Sequence, residues 1–533
     1  MRLLLLILFL SASVAAQPSV SKVWVADNRD GTYRNPILHA DYSDPDVIRV
    51  GDDFYLVASS FNAAPGLPIL HSRDLVNWTI IGHALPRQPP FDVYNAPQHG
   101  NGVWAPAIRF HNGEFYIFYP DPDYGIYMIK AKDPAGPWSE PLLIKAAKGW
   151  IDPCPFWDDD GKAYLVSAFA RSRSGIKSIL VISRMSEDGS KLLDDGALVF
   201  DGHEHDPTIE GPKLYKRNGF YYIFAPAGGV ESGWQLALRS KNIYGPYERR
   251  VVLAQGKTKI NGSHQGAWVE TQTGESWFIH FQDRGAYGRI LHLQPMKWVS
   301  DWPVIGVNAN SDGVGEPVTT FRKPNVGQAF PINTPQDSDE FNESRLGLQW
   351  QWQANPQSNW ALPSAAYGFV RLHTVPMSSG AKNLWSAPNL LLQKFPAPAF
   401  TVTAKLTFAA RNDGERTGLI VMGLDYAHLS VQKKPDGLYI SQATCEGADK
   451  GSLEKETTGV KLRGDTSWLR VRVQENAACD FSFSENGKDF VPIGESFKAR
   501  QGRWIGAKVG IFALGKGGSS EIGYADYDWF RVE

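Results

Sequence analysis

A polar turn followed by an aromatic-rich strand recurs five times in the N-terminal part of this 533-residue chain. The copies are Gly51-Asp52-Asp53-Phe54-Tyr55, Asn112-Gly113-Glu114-Phe115-Tyr116, Asp160-Gly161-Lys162-Ala163-Tyr164, Asn218-Gly219-Phe220-Tyr221-Tyr222 and, more loosely, Gly274-Glu275-Ser276-Trp277-Phe278. Asn-Gly and Asp-Gly between hydrophobic runs make tight hairpins, because such residues tolerate the positive φ that a two-residue loop demands. The copies lie roughly 50 to 60 residues apart, which leaves room for one four-stranded antiparallel sheet per repeat and is the spacing of propeller blades. A second echo, Ser72-Arg73-Asp74-Leu75-Val76-Asn77-Trp78, Lys132-Asp133-Pro134 and Ser240-Lys241-Asn242, marks the outer-strand turns. Almost no segment has sustained helical periodicity, so the fold class is all-β: a five-bladed β-propeller over residues 31–322, with an all-β solenoid as the alternative. Residues 323–336, with three Pro and two Asn, read as a linker. Short alternating strands without the hairpin repeat then fill residues 337–533, as in Phe400 to Phe408, Gly418 to Met422, Trp468 to Val473 and Val509 to Phe512; they suit a two-sheet β-sandwich.

The register of the repeat locates candidate chemistry. In a propeller the first strand of each blade lines the central channel, so residues at a fixed distance before each hairpin converge at one mouth. Counting back about 11 to 14 residues from each aromatic gives Asp44, Trp104, Asp152, Glu210 and His264. Each of the three acids sits in an apolar, Pro-containing segment, where an unpaired carboxylate is costly to bury. One such acid alone reads as a turn cap or an ion-pair partner; equivalent placement in three blades does not. Cleaving a glycosidic bond takes one carboxylic acid to protonate the departing oxygen and one carboxylate to activate water or attack the sugar. Three carboxylates in one small site repel, so one should hold its proton near neutral pH.

Composition narrows the partner. Lys plus Arg total 54 against 56 Asp plus Glu, which leaves no basic surplus to hold nucleic acid or an anionic membrane. Eighteen Trp and twenty Tyr supply flat rings that suit sugars, although most belong to an ordinary β-core. Arg2, the apolar run Leu3 to Leu10 and small residues to Ala16 read as a signal peptide over residues 1–16, which implies secretion to an extracellular or periplasmic space. No other stretch approaches a membrane span. Three Cys make no disulfide framework: Cys445 and Cys479 can pair in an oxidising compartment, while Cys154 reads as a buried small hydrophobe rather than a nucleophile. Three N-glycosylation sequons, at Asn77, Asn261 and Asn342, matter only in a eukaryotic host.

Taken together, these segments resemble glycoside hydrolase family 43, the family of β-xylosidases, α-L-arabinofuranosidases and arabinanases, over nearly all of the mature chain. Ser43-Asp44-Pro45-Asp46 resembles the segment of the general base, Asp152 before Phe156-Trp157-Asp158 the auxiliary acid that tunes and orients its partners, and Glu210-Gly211-Pro212-Lys213-Leu214-Tyr215 the segment of the general acid. Phe61 and Trp104 resemble aromatics that wall the terminal sugar pocket, and Arg289 an Arg that donates to sugar hydroxyls, its alternative being a solvated charge. His264 resembles a channel His that sits near a calcium ion in many relatives, usually through water; a lone His is otherwise structural. The resemblance thus implies no cofactor for the chemistry itself, and a structural Ca2+ in the channel. It also implies a concanavalin-like sandwich, one loop of which can close the pocket. Asn62-Ala63-Ala64 replaces larger aromatics after Phe61, so a more open pocket is expected on that side.

The activity so implied is exo-acting, inverting release of terminal β-D-xylose or α-L-arabinofuranose from xylan, arabinoxylan, xyloglucan or arabinan fragments. Alternatives are an endo-arabinanase, which needs an open groove, and a non-catalytic carbohydrate-binding propeller. A retaining fructan hydrolase would show an Asn-Asp-Pro-Asn-Gly nucleophile segment and a Glu-Cys acid segment, and neither occurs.

Overall fold

A computed structural model describes residues 20–308, 310–517 and 520–533. The segment read as a signal peptide lies outside these residues.

The five repeats form five four-stranded antiparallel sheets, each built from strands consecutive in sequence. Their first, channel-lining strands are Asp46–Val50, Ala107–His111, Trp150–Trp157, Lys213–Arg217 and His264–Glu270. Each copy of the hairpin motif joins strand one to strand two of its blade, as in Val50 opposite Asp53 and Arg217 opposite Phe220. Buried aliphatic and aromatic residues from facing blades make the cores between them, for example Val57, Ile69, Ile108 and Ile117 between blades one and two.

Blade five is complete by itself, so no strand exchange locks the ring. Instead Thr32–Arg34 pairs antiparallel with Thr320–Arg322, joining the entry to blade one with the exit from blade five. Asn35 completes this clasp. Its Oδ1 accepts from Leu293 N at 2.8 Å, and its Nδ2 donates to Leu293 O and Val318 O, both at 2.8 Å. These are groups that the short outer strand Trp302–Ile305, paired only with Met296–Val299, does not reach.

The chain between the domains is laid down on the propeller: Val326 is buried in the core between blades one and five, and Lys323 donates to Asp27 Oδ2 at 2.6 Å. The second domain is a sandwich of a nine-stranded and an eight-stranded sheet. Cys479 lies in the core between its sheets, whereas Cys445 sits in a separate cluster with Leu384, Tyr426 and Phe512. The two are therefore not paired, contrary to the sequence-based option; all three cysteines are free and buried.

The sandwich grips the propeller through backbone as well as side chains. Ala64 and Trp352 exchange two backbone hydrogen bonds, at 3.1 and 2.6 Å, and the Asn355 side chain pairs with both backbone groups of Gln88. Tyr287, on the propeller, is buried in the sandwich core, where its hydroxyl accepts from Ala477 N at 3.1 Å. Asn62, Ala63 and Ala64 are all buried, and Asn62 donates to Gln353 O at 2.6 Å. The expected opening after Phe61 is thus absent: small residues stand there because the sandwich packs on them.

Ring closure by Asn35 has a measurable consequence. Asn35→Ala strands the N–H of Leu293 and the carbonyl of Val318, while the Leu293 carbonyl keeps the Tyr33 hydroxyl, so it should cost about 1–3 kcal/mol in urea unfolding. A change below about 0.5 kcal/mol would show that the ring closes without this clasp.

Candidate active site

At the start of each first strand the backbone stops pairing and turns. Asp44 and Asp152 both adopt left-handed backbone, with φ of 54° and 55°, and the ladder of blade three shifts register between Ile151 and Cys154. Blade five shifts between His264 and Gly266. These irregularities aim Asp44, Asp152, Glu210 and His264 into one cavity, which Phe61, Trp104, Ala105, Ile151, Val230, Gln265, Arg289 and Trp504 complete. It encloses about 530 Å³, part of it open to solvent.

Asp44 is held by donors on every side but one. Ser43 Oγ and Ser59 Oγ donate to its Oδ2 at 2.8 and 2.7 Å, and Arg289 Nη1 donates to Oδ1 at 2.9 Å. A carboxylate offers about four acceptor positions, so Oδ1 retains one toward the cavity. The Arg289 guanidinium also lies over the Phe281 ring, 4.8 Å from its centroid, and its buried Nε makes no hydrogen bond, with the Asp283 carboxylate 4.0 Å away.

Asp152 is buried, and its Oδ2 accepts from Gly211 N at 2.7 Å and from Gln265 Nε2 at 3.3 Å. Through Gly211 it holds the backbone beside Glu210. Burial raises the Asp152 pKa, aided by the charge of Asp44, while Gly211 N–H and Lys213 work against the rise. Glu210 is raised too, first by burial and then by repulsion from Asp152 and Asp44; Arg289 opposes this. Its side chain keeps 31% of its surface exposed, so it is the acid in reach of an entering ligand. The two acids titrate as a pair and together hold a proton at neutrality.

His264 lies with Nε2 3.3 Å from Glu210 Oε1, but burial lowers its pKa to about 3, so the ring is neutral and the contact is no ion pair. Neither ring nitrogen has a hydrogen-bond partner in the protein. Calcium requires six to eight oxygens, and among the described residues no group of three or more His, Cys, Asp or Glu is arranged to hold a metal. An ion beside His264 would therefore be held through water rather than by a cluster of such side chains.

Two aromatic walls flank the acids. Phe61 is stitched to blade two by backbone hydrogen bonds with Val103 in both directions. Trp104 donates from Nε1 to Gly100 O at 2.9 Å and meets Trp504 edge to face, ring centroids 6.2 Å apart. Trp504 comes from the sandwich. It lies outside the blade repeat, and only the expected pocket-closing loop pointed toward it. Gln265, Ser43 and Ser59 also carried no signal of their own beyond adjacency to His264, Asp44 and Phe61.

Below this layer a second set of polar groups crosses the channel. Arg109 donates to Asp46 Oδ2 at 2.6 Å and to Cys154 Sγ at 2.8 Å, and the fully buried Lys213 donates to Pro106 O at 3.2 Å. Cys154 is buried in the hydrophobic core between blades three and four, as expected, and its sulfur also accepts from Arg109 and from Leu214 N.

With this geometry the comparisons with known proteins agree. Residues 33–303 match glycosyl hydrolases family 43, and residues 338–533 match the β-xylosidase C-terminal concanavalin A-like domain. The chain belongs to glycosyl hydrolases family 43. It is 41% identical over 498 residues to a putative β-xylosidase of Xylanibacter ruminicola, covering 92% of this chain and 88% of that protein. It is 28% identical to a non-reducing end α-L-arabinofuranosidase of Bacteroides ovatus, covering 94% of each. Among solved structures it is similar to a xylan β-1,4-xylosidase from Bacillus halodurans, with TM-score 0.82 and 26% identity, over 94% of this chain and 99% of that one. The family's C-terminal domain is thus the same unit that carries Trp504.

The coupling between the two raised acids can be read directly. Asp152→Asn removes the larger of the two repulsions that raise Glu210, so the carbon-13 carboxyl resonance of Glu210 should titrate at lower pH in that variant. A midpoint that stays in place or rises would mean that burial alone sets it.

Proposed function

We propose that this family 43 enzyme removes single terminal pentoses from hemicellulose-type chains by one inverting displacement, with β-linked xylose as the preferred unit. The observation that carries this reading is the division of labour among three acids in one pocket. Asp44, gripped by Arg289 and two serines, has one acceptor position left for a water and serves as the general base. Glu210, proton-bearing and open to the pocket, serves as the general acid that protonates the departing oxygen. Asp152 faces neither donor role; its charge keeps the proton affinity of Glu210 high, and its bond to Gly211 N fixes the backbone that carries it. As Asp44 takes a proton from water, the oxygen forms its bond to the anomeric carbon while the bond to the leaving oxygen breaks and takes the Glu210 proton.

Phe61, Trp104 and Trp504 give ring faces and edges to the sugar, and the Nε of Arg289, which makes no hydrogen bond in the protein, is a donor for a hydroxyl. A pocket walled by the sandwich on one side admits a chain end, which supports exo action over an endo-arabinanase. Xylose is favoured over arabinofuranose by the greater likeness to a protein named as a β-xylosidase.

Proton NMR of the first sugar released from an aryl β-xyloside should show the α anomer; the β anomer would overturn inversion. Aryl β-xyloside should also be hydrolysed with higher kcat/KM than aryl α-L-arabinofuranoside, and the reverse order would reassign the sugar. Glu210→Gln should cost about 10²–10⁴-fold on xylo-oligosaccharides, whose leaving groups need a proton, and far less on activated aryl glycosides. Equal loss on both counts against Glu210 as the acid.

A further inference from the structure

Asp41 stands three residues before Asp44 and is buried, but it does not line the cavity. Its carboxylate takes one backbone N–H from each domain. Oδ1 accepts from Arg289 N at 2.9 Å, and Oδ2 accepts from Gly506 N at 3.0 Å. The first donor belongs to the residue whose guanidinium grips Asp44. The second lies two residues beyond Trp504.

The segments that Asp41 joins approach more closely than side chains permit. A Cβ on Gly288 would come within 2.5 Å of Asp41 Cγ and 2.6 Å of Gly506 N, and one on Gly506 within 2.7 Å of Gly288 N. Gly288 also has φ of +71°. Alongside, Ala507 N donates to Ala286 O at 2.7 Å, and Tyr42 N donates to Arg289 O at 3.2 Å. Trp504 itself is more than half exposed, has φ of 63°, and is carried on a tight turn closed by Gly502 N to Ile505 O at 2.8 Å. Such a turn has little hold of its own on the ring's position, so the neighbouring anchors at Gly506 and Ala507 decide where the indole stands. Arg289 is different: Ser43, Asp44 and Phe281 hold its side chain independently.

Only a carboxylate suits this post, because both of its oxygens accept; an amide would turn an NH2 toward one of the two N–H groups. On the sandwich side the half-buried Lys394 and the buried Lys508 face the same spot, and Asp41 is the anion that opposes the loss of their charge on burial.

We propose that Asp41 is a positioning residue for the sugar pocket: its carboxylate ties the Trp504 turn of the sandwich to the Arg289 backbone of the propeller and so sets the width of the pocket between them. The proposal rests on the cavity being the terminal-sugar site described above. It extends that reading to a side chain that touches no substrate and belongs to the joint between the domains.

The test uses the full chain, with kcat and KM measured on aryl β-xyloside for Asp41→Asn, Trp504→Ala and the double variant. Asp41→Asn is expected to raise KM on the order of tenfold, with kcat changed less than about threefold. Trp504→Ala should raise KM by itself, and adding Asp41→Asn to it should raise KM no further, since the ring that Asp41 places is already gone. A wild-type KM in folded Asp41→Asn overturns the proposal, as do two effects that multiply in the double variant. If Asp41→Asn does not fold, Asp41→Glu keeps both acceptor oxygens but displaces them; it should show the same KM rise, again abolished by Trp504→Ala, and a wild-type KM there overturns the proposal. Absence of any hydrolysis by the unmodified protein would instead sink the assignment of the pocket.

Discussion

Asp44, Asp152 and Glu210 repel one another, and the centre of the propeller is organised around that repulsion. Like charges gathered in one cavity of reduced dielectric oppose one another strongly, and three together more than two. The structure answers in two ways. Arg289 binds Asp44 directly, and the pair Asp152 and Glu210 retains a proton. The layer beneath continues the pattern, with Arg109 paired to Asp46 and Lys213 donating to Pro106 O. With one proton on the Asp152 and Glu210 pair, Arg289, Arg109 and Lys213 offset much of the remaining negative charge. Removing any one cation would therefore disturb groups that it does not touch.

The sandwich domain acts on the same centre from outside. The propeller alone would leave the seam after Phe61 and the side beyond Arg289 open. Trp352 and Gln353 cover the first, and the turn bearing Trp504 covers the second. The result is a pocket that meets one chain end, where a bare propeller would offer a groove. Specificity for a terminal unit thus belongs to the joint between domains, while the chemistry belongs to the blades.

Much of this was legible because the blade repeat is a ruler. The five hairpin motifs fix where each first strand begins, and counting back from them reaches Asp44, Trp104, Asp152, Glu210 and His264, all of which line the cavity. What the ruler cannot reach is whatever lies outside the repeat. Trp504 sits in a loop of the sandwich with no periodic neighbour, and Asp41 reads as one acid beside a better-marked one. The small run Asn62-Ala63-Ala64 suggested open space because sequence alone does not say that another domain packs there. Cys445 and Cys479 are close in chain order but point to different faces of the sandwich, a distinction that strand alternation alone did not resolve.

The left-handed backbone at Asp44 and Asp152 completes the physical picture. Such a conformation costs about 1–3 kcal/mol at a residue other than glycine, and it persists only where the surroundings over-determine it. Here they do, since each acid is followed at once by a strand locked into a blade whose core is fully buried. Had these residues kept regular strand geometry, successive side chains would alternate between the two faces of the blade. The break in pairing turns the carboxylates into the channel instead. The strain is thus spent before any ligand arrives, and the sugar and the attacking water meet acids already in place, with little left to reorganise at the moment of reaction.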